Sequence, residues 1–216
     1  MKRELHIIKP ATKANNFEIE LIECIQKLKG FVADNIISFS VFFYSKDKIQ
    51  YDSRMLRIEK ELSDINLSQI PFSIISQAPA ETSIVIELLY SQEDVNIERK
   101  TWQDTNYSLI KHNYGTELIV AGIGKKSNSN SFRDKAETAF LKISNILKLE
   151  NFNQEHIVRQ WSYIENILEL KSENDQQLQN YQLFNEARNL FYSGKQLPNG
   201  YPAATGIGMK YGGLLI

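Results

Sequence analysis

Three histidines, one cysteine, two glycine-spaced runs and one cluster of arginine with aromatic residues are where this 216-residue sequence could hold chemistry. His6, His112 and His156 are scattered, with no cysteine or carboxylate at metal-ligand spacing, so no metal site is expected. Cys24 falls on an apolar helical stripe and reads as a core thiol. Gly206-Ile-Gly208-x-x-x-Gly212 is one residue too long for a dinucleotide fingerprint and opens no helix. The run from Gly122 to Ser127 has Ile119 where a phosphate-binding loop needs its first glycine. No cofactor is expected from either. The remaining cluster reads VRQWSYIE, then NYQLFNEAR, then PAATGIG. Period two puts Arg159, Trp161 and Tyr163 on one face of a strand. Spacings of three and four put Tyr181, Phe184, Asn185 and Arg188 on one face of a helix. An arginine on a partly aromatic wall suits a planar carboxylate, because its fork bonds both oxygens. The same spacing also describes core aromatics with surface arginines, and on spacing alone both readings stay open.

The elements that must position this cluster follow from periodicity. Phe17, Leu21, Ile25 and Leu28 predict a helix that Gly30 stops. IISFSVFFY at 36–44 predicts a strand. Met55, Ile58, Leu62 and Ile65 predict a helix over 52–67, broken by Pro71. Residues 72–75 and 83–90 predict two strands, and 5–8 a further short one. In the second half, 107–110 and 117–123 read as a strand pair around Asn113-Tyr114-Gly115, and 125–131 as a polar loop. Ser131 with Asp134 caps a helix striped by Phe132, Ala136, Phe140, Ile143 and Leu147. HIVRQWSY at 156–163 alternates as a strand. Ser172 with Asp175 repeats the cap before a helix carrying Leu178, Tyr181, Phe184, Ala187 and Phe191. Pro198-Asn199-Gly200 forms a turn, 205–209 a strand, and Leu214 begins another.

The order repeats. SFSVFFYS aligns with VRQWSYIE, Pro71 with Pro202, and SIVIELLY with GLLI. The expected class is α/β (α+β): two tandem β-α-β-α-β-β units, over residues 1–100 and 101–216, each a mixed sheet with two helices on one face. The second unit stops within its last strand, so the chain is expected to be a shortened version of something longer. Formal net charge is -1, which gives no reason to expect nucleic acid. No run of 18 apolar residues or signal-peptide core exists, so no membrane span is expected, and with a single cysteine a cytoplasmic setting is the simplest reading. An exposed sheet edge would allow a homo-oligomer.

Residues 105–216 resemble the Rid (YjgF-type) fold, through GTELIVAGIG, NILKLENF, HIVRQWSYI and PAATGIG in that order. More closely, VRQWSYIE, NYQLFNEAR and YPAATGIG, with PFSIISQAP in the first half, resemble the chorismatase family, also described as pteridine-dependent-deoxygenase-like. That resemblance implies a small dicarboxylate substrate, chorismate, hydrolysed to pyruvate plus a dihydroxycyclohexadiene carboxylate or a hydroxybenzoate. It implies protonation of the enolpyruvyl double bond, then water attack or elimination. By motif it maps Tyr181 and Arg188 to a YxxFxxxR helix, and Ala204 and Gly206 to a pocket-lining PAxTxIG strand. The expected substrate-binding set is Tyr181, Phe184, Arg188, Ala204, Thr205, Gly206, Arg159 and Tyr163, with the catalytic residues unassigned. The family's chain runs on past this strand into a segment that supplies catalytic acid, and this sequence ends at Ile216. A non-catalytic ligand-binding or assembly module is the alternative. Rid-type deamination is disfavoured, because Ala204 stands where those enzymes place a carboxylate-binding arginine. A Rid-type ribonuclease is disfavoured by the absence of a basic stripe.

Overall fold

The computed structural model describes residues 2–11, 14–93, 95–124, 131–173, 176–193, 197 and 200–216. The polar loop at 125–130, Asp175 of the second capping pair, and Pro198 and Asn199 of the predicted turn lie outside them. The fold is α/β, with mixed sheets and four helices among the described residues. Two compact units divide the chain, Met1–Gly122 and Ile123–Ile216.

The first unit runs β1 (Arg3–Ile8), α1 (Phe17–Leu28), β2 (Ile36–Phe43), α2 (Lys48–Asp64), β3 (Phe72–Ile75) and β4 (Ile84–Ser91). These strands form one sheet in the order β1-β4-β2-β3, antiparallel except for the parallel β2–β3 pair. Asn16 starts α1 by accepting the N–H groups of Glu18 (3.0 Å) and Ile19 (3.3 Å), which would otherwise lack a partner. The stripe expected on α1 is the buried one: Phe17, Leu21, Ile25 and Leu28 enter the core, and Cys24 with them. β2 alternates, burying Phe39, Val41 and Phe43.

Three more strands complete this unit: β5 (Asn96–Trp102), β6 (Thr105–His112) and β7 (Gly115–Val120), an antiparallel meander. The predicted pair around Asn113-Tyr114-Gly115 is β6–β7, whereas β5, polar and weakly alternating, had no readable signal. The meander is tied to the first sheet by hydrogen bonds. Arg99 Nη2 donates to the carbonyls of Ala33 (2.6 Å) and Ile36 (3.1 Å), and Asn106 Nδ2 to that of Ser68 (2.6 Å).

The second unit runs α3 (Phe132–Leu149), β8 (Arg159–Glu165), β9 (Leu170–Glu173), β10 (Gln176–Gln179), α4 (Asn180–Tyr192), β11 (Ala203–Met209) and β12 (Leu214–Leu215). Its sheet has the order β11-β8-β12, with β11 parallel and β12 antiparallel to β8. Beyond β12, Ile123 and Ile216 exchange both backbone hydrogen bonds, at 3.1 and 2.9 Å. The order is therefore Ile123, β12, β8, β11, matching β1, β4, β2, β3 in both position and direction. A short 3₁₀ turn precedes the central strand in each unit, Ala33–Asn35 and Gln154–His156. The strand order is thus the same in the two units, while the predicted strand pair around Asn113-Tyr114-Gly115 falls within the first unit.

Three local expectations change. α2 runs from Lys48 to Asp64, not from 52 to 67, and ends early because Asn66 takes φ 60 and Leu67 N–H returns to the Leu62 carbonyl at 2.9 Å. His156 belongs to the 3₁₀ turn and not to a strand, its Nδ1 accepting the Asn153 N–H at 3.1 Å. The segment expected to cap and begin the last helix is instead the β9–β10 hairpin, and α4 starts at Asn180. By contrast Ser131 does cap α3, accepting from Asp134 N–H at 3.4 Å.

Candidate functional site

β8 separates its side chains by face. Gln160, Ser162 and Ile164 are buried on one side, while Arg159 and Trp161 are exposed on the other with Tyr163 half-buried. The parallel register carries this division to β11: Ala204 lies beside Gln160 and Gly206 beside Ser162, whereas Thr205 lies beside Trp161 and Ile207 beside Tyr163. The predicted site residues therefore occupy two sides of one sheet.

On the open side, Arg159, Trp161 and Thr205 meet. The Arg159 guanidinium lies 4.6 Å from the Trp161 ring centre and its Nη2 donates to Thr205 Oγ1 at 3.2 Å. Tyr163 shares this side by alternation.

On the other side stands α4. Its N-terminus is clamped by the chain leaving β8: Asn180 Nδ2 donates to the carbonyls of Glu165 (2.9 Å) and Asn166 (3.3 Å), and Tyr181 N–H to that of Ile167 (3.0 Å). Asn166 can turn the chain there because it takes φ 47, a conformation asparagine tolerates. This clamp sets Tyr181 against β11. A Cβ on Gly206 would stand 3.1 Å from Tyr181 Cε2, so any larger residue there would make the ring shift by a few tenths of an ångström. Phe184 goes elsewhere: it is buried, 5.6 Å from the Phe140 ring on α3, and joins the core between the two helices.

Arg188 follows Tyr181 along α4. Its guanidinium carbon lies 5.8 Å from the Tyr192 ring centre, and its Nε is buried with no hydrogen-bond partner. Such an orphaned charged donor costs free energy unless something accepts from it. The Tyr192 hydroxyl donates to Gln160 Oε1 at 3.5 Å, and Gln160 Nε2 donates to Ser162 Oγ at 2.9 Å. Burial pushes the Tyr192 phenol up to about 12, with the Arg188 cation acting the other way, so it is a neutral donor at any physiological pH. The result is a polar strip on the helix side of the sheet. Tyr181 against Gly206 marks one end, Tyr192 bonded to Gln160 the other, Arg188 lies between them on the helix, and the helix side of β11 carries Ala204, Gly206 and Gly208. Such a strip can bind an anion with a flat ring: a cation whose Nε has no acceptor, the Tyr181 ring and small residues on the strand.

The structure thus puts Tyr181 against Gly206, leaves Arg188 seven residues along the same face of α4 and Ala204 on the helix side of β11, sets Arg159, Tyr163 and Thr205 on the opposite face, and sends Phe184 to the core. It adds Gln160, Ser162 and Tyr192, which sequence reasoning missed. The signal that could have found them was the pair of polar residues at alternate positions of an otherwise apolar-facing strand.

Residues 95–216, more than half of the chain, match the family described as chorismatase FkbO/Hyg5-like, N-terminal. The match covers α3, α4, β8, β11 and every residue of the strip, and begins at the meander. Comparison with curated proteins finds none that matches. No helix among the described residues is long and apolar enough to cross a membrane.

Proposed function

The chain belongs to the chorismatase FkbO/Hyg5-like family, and from that premise we propose that the polar strip binds a chorismate-like dicarboxylate and that the chain acts in the cleavage of its enolpyruvyl ether. The observation that supports this most is the Arg188 guanidinium, which has a buried Nε without an acceptor. A carboxylate would satisfy it with two parallel hydrogen bonds. Tyr181 offers a ring face for the substrate's carbocycle, and Ala204 on β11 is small and exposed.

The chemistry balances simply. A proton added to the enolpyruvyl methylene leaves an oxocarbenium centre at the ether carbon. Water attacks there, and the hemiketal collapses to pyruvate and a dihydroxycyclohexadiene carboxylate. Loss of the ring's elements of water gives a hydroxybenzoate instead. Arg188 contributes by holding a carboxylate in register with the acid, since fixing orientation is a large part of such a rate gain. The strip itself contains no carboxyl group, and the acid is not assigned.

That last fact favours a second reading, in which the strip binds the ligand without turning it over. One experiment separates the two. Incubating the chain with chorismate, measuring pyruvate and measuring binding by calorimetry should give binding in both cases and pyruvate only in the first. Replacing Arg188 by Gln should weaken binding by about 10- to 100-fold, the worth of a charge-assisted pair. Chorismate binding that is absent, or unchanged in Arg188→Gln, would refute both readings of the strip.

A further inference from the structure

A free arginine side chain samples many rotamers, and a ligand that must freeze them loses affinity. Arg188 is not free in this sense. The ring under it is held from several directions: Phe191 lies edge-on at 4.7 Å, Tyr201 edge-on at 5.6 Å, and the hydroxyl is tied to Gln160. Gln160 is in turn tied to Ser162. Tyr192, Gln160 and Ser162 are all buried, at 2%, 6% and 2% exposure. Burying a phenol, an amide and a hydroxyl under a helix is unfavourable compared with burying apolar groups of the same shape. A phenylalanine at 192 with apolar partners on β8 would pack the same space without that cost. The chain of polar groups instead fixes one ring orientation, and the guanidinium faces that ring at 5.8 Å.

We propose that Tyr192 is a positioning residue, whose ring, anchored through its hydroxyl to Gln160 and Ser162, carries the Arg188 guanidinium in the orientation that receives a carboxylate. This deepens the function proposed above and rests on the reading that the strip takes a carboxylate. Gln160 and Ser162 touch no ligand in this scheme. They act through Tyr192, and Tyr192 acts through Arg188.

The test compares a carboxylate with its neutral isostere. Calorimetry with 3-hydroxybenzoate and 3-hydroxybenzamide on the full chain reads the ratio of the two affinities, which isolates what Arg188 gains from the charge. The unsubstituted chain should prefer the acid by about 10-fold or more, and Arg188→Gln should lose that preference. Tyr192→Leu should reduce the preference to about 2-fold while changing amide affinity less than about 3-fold, because the platform is gone but the small residues of β11 remain. Tyr192→Phe, which keeps the ring but loses the hydroxyl's anchor, should lower the ratio by about 3-fold, short of the loss in Tyr192→Leu. A general packing defect would weaken both ligands equally and leave their ratio intact, and a Tyr192→Leu chain with the original ratio overturns the inference. Should that variant fail to fold by circular dichroism, Gln160→Met removes the hydroxyl's anchor and should lower the ratio about 3-fold. An unchanged ratio there overturns the inference equally. An unsubstituted chain without any acid preference would refute the carboxylate reading itself, and this inference with it.

Discussion

Cys24 and Tyr192 are acids whose protons the fold holds more tightly than water does. The Cys24 thiol is fully buried, its Sγ 3.9 Å from the Ile8 carbonyl, and burial raises its pKa from 9.0 to about 12. A group whose folded pKa is raised gives stability below the unfolded value and withdraws it as pH climbs through the folded one. Both groups therefore destabilise the fold on the alkaline side, Cys24 from pH 9 towards 12 and Tyr192 from pH 10 towards 12. Melting temperature followed over that range should fall, and Cys24→Ala should fall less steeply, though from a lower start because of the small cavity it leaves. Iodoacetamide at pH 8 should leave Cys24 unmodified until denaturant is added. The burial of Cys24 was legible, since one helical stripe was enough to place it. Tyr192 was not, because what gives it a role is Gln160, 32 residues away on another element. Spacing within a helix gives the face a residue lies on, but not which strand that face meets. The same limit explains why Arg159 and Arg188 read as one cluster and stand on opposite sides of a sheet.

Elements were easier to read than their ends. The helices and most strands follow from apolar period, which is a property of many residues at once. Their boundaries depend on single residues such as Asn66 and Asn151, both at φ 60, whose left-handed turns end α2 and α3 without any proline or glycine. The β9–β10 hairpin was hidden because LKSE and QQLQ are polar on both faces and alternate in nothing. Two glycines carry consequences at this scale. Gly206→Ala should cost only about 1 kcal/mol of stability, since Tyr181 can give by a few tenths of an ångström. It should weaken ligand binding by more than that loss implies, because the ring that gives way belongs to the strip. Gly124→Ala should behave in the reverse manner. Gly124 has φ 102, and a Cβ there would run into the Leu214 carbonyl, so about 3 kcal/mol should be lost, as denaturant titration would show. Phe140→Ala, which empties the contact with Phe184 and Phe191, should cost about 3–5 kcal/mol by the same measurement.

At the scale of the whole molecule, the net charge of -1 sets what the chain meets in solution. Counterion release needs clustered cations, and several basic side chains are instead matched locally, as in Arg57 with Glu18 and Glu61 or Arg133 with Glu186. Retention on double-stranded DNA resin at physiological salt should be nil. The matched strand order of the two units bears on how each tolerates change. Where β11 has Ala204, Gly206 and Gly208, the equivalent strand β3 is FSII, with Ser73, Ile74 and Ile75 buried. One copy of the fold has its floor packed solid and the other has it pared to backbone. Saturation mutagenesis should therefore divide cleanly along the duplication: changes at 72–75 would register as lost yield of folded protein, whereas enlargements at 204 and 206 would leave a well-folded chain unable to hold its guest.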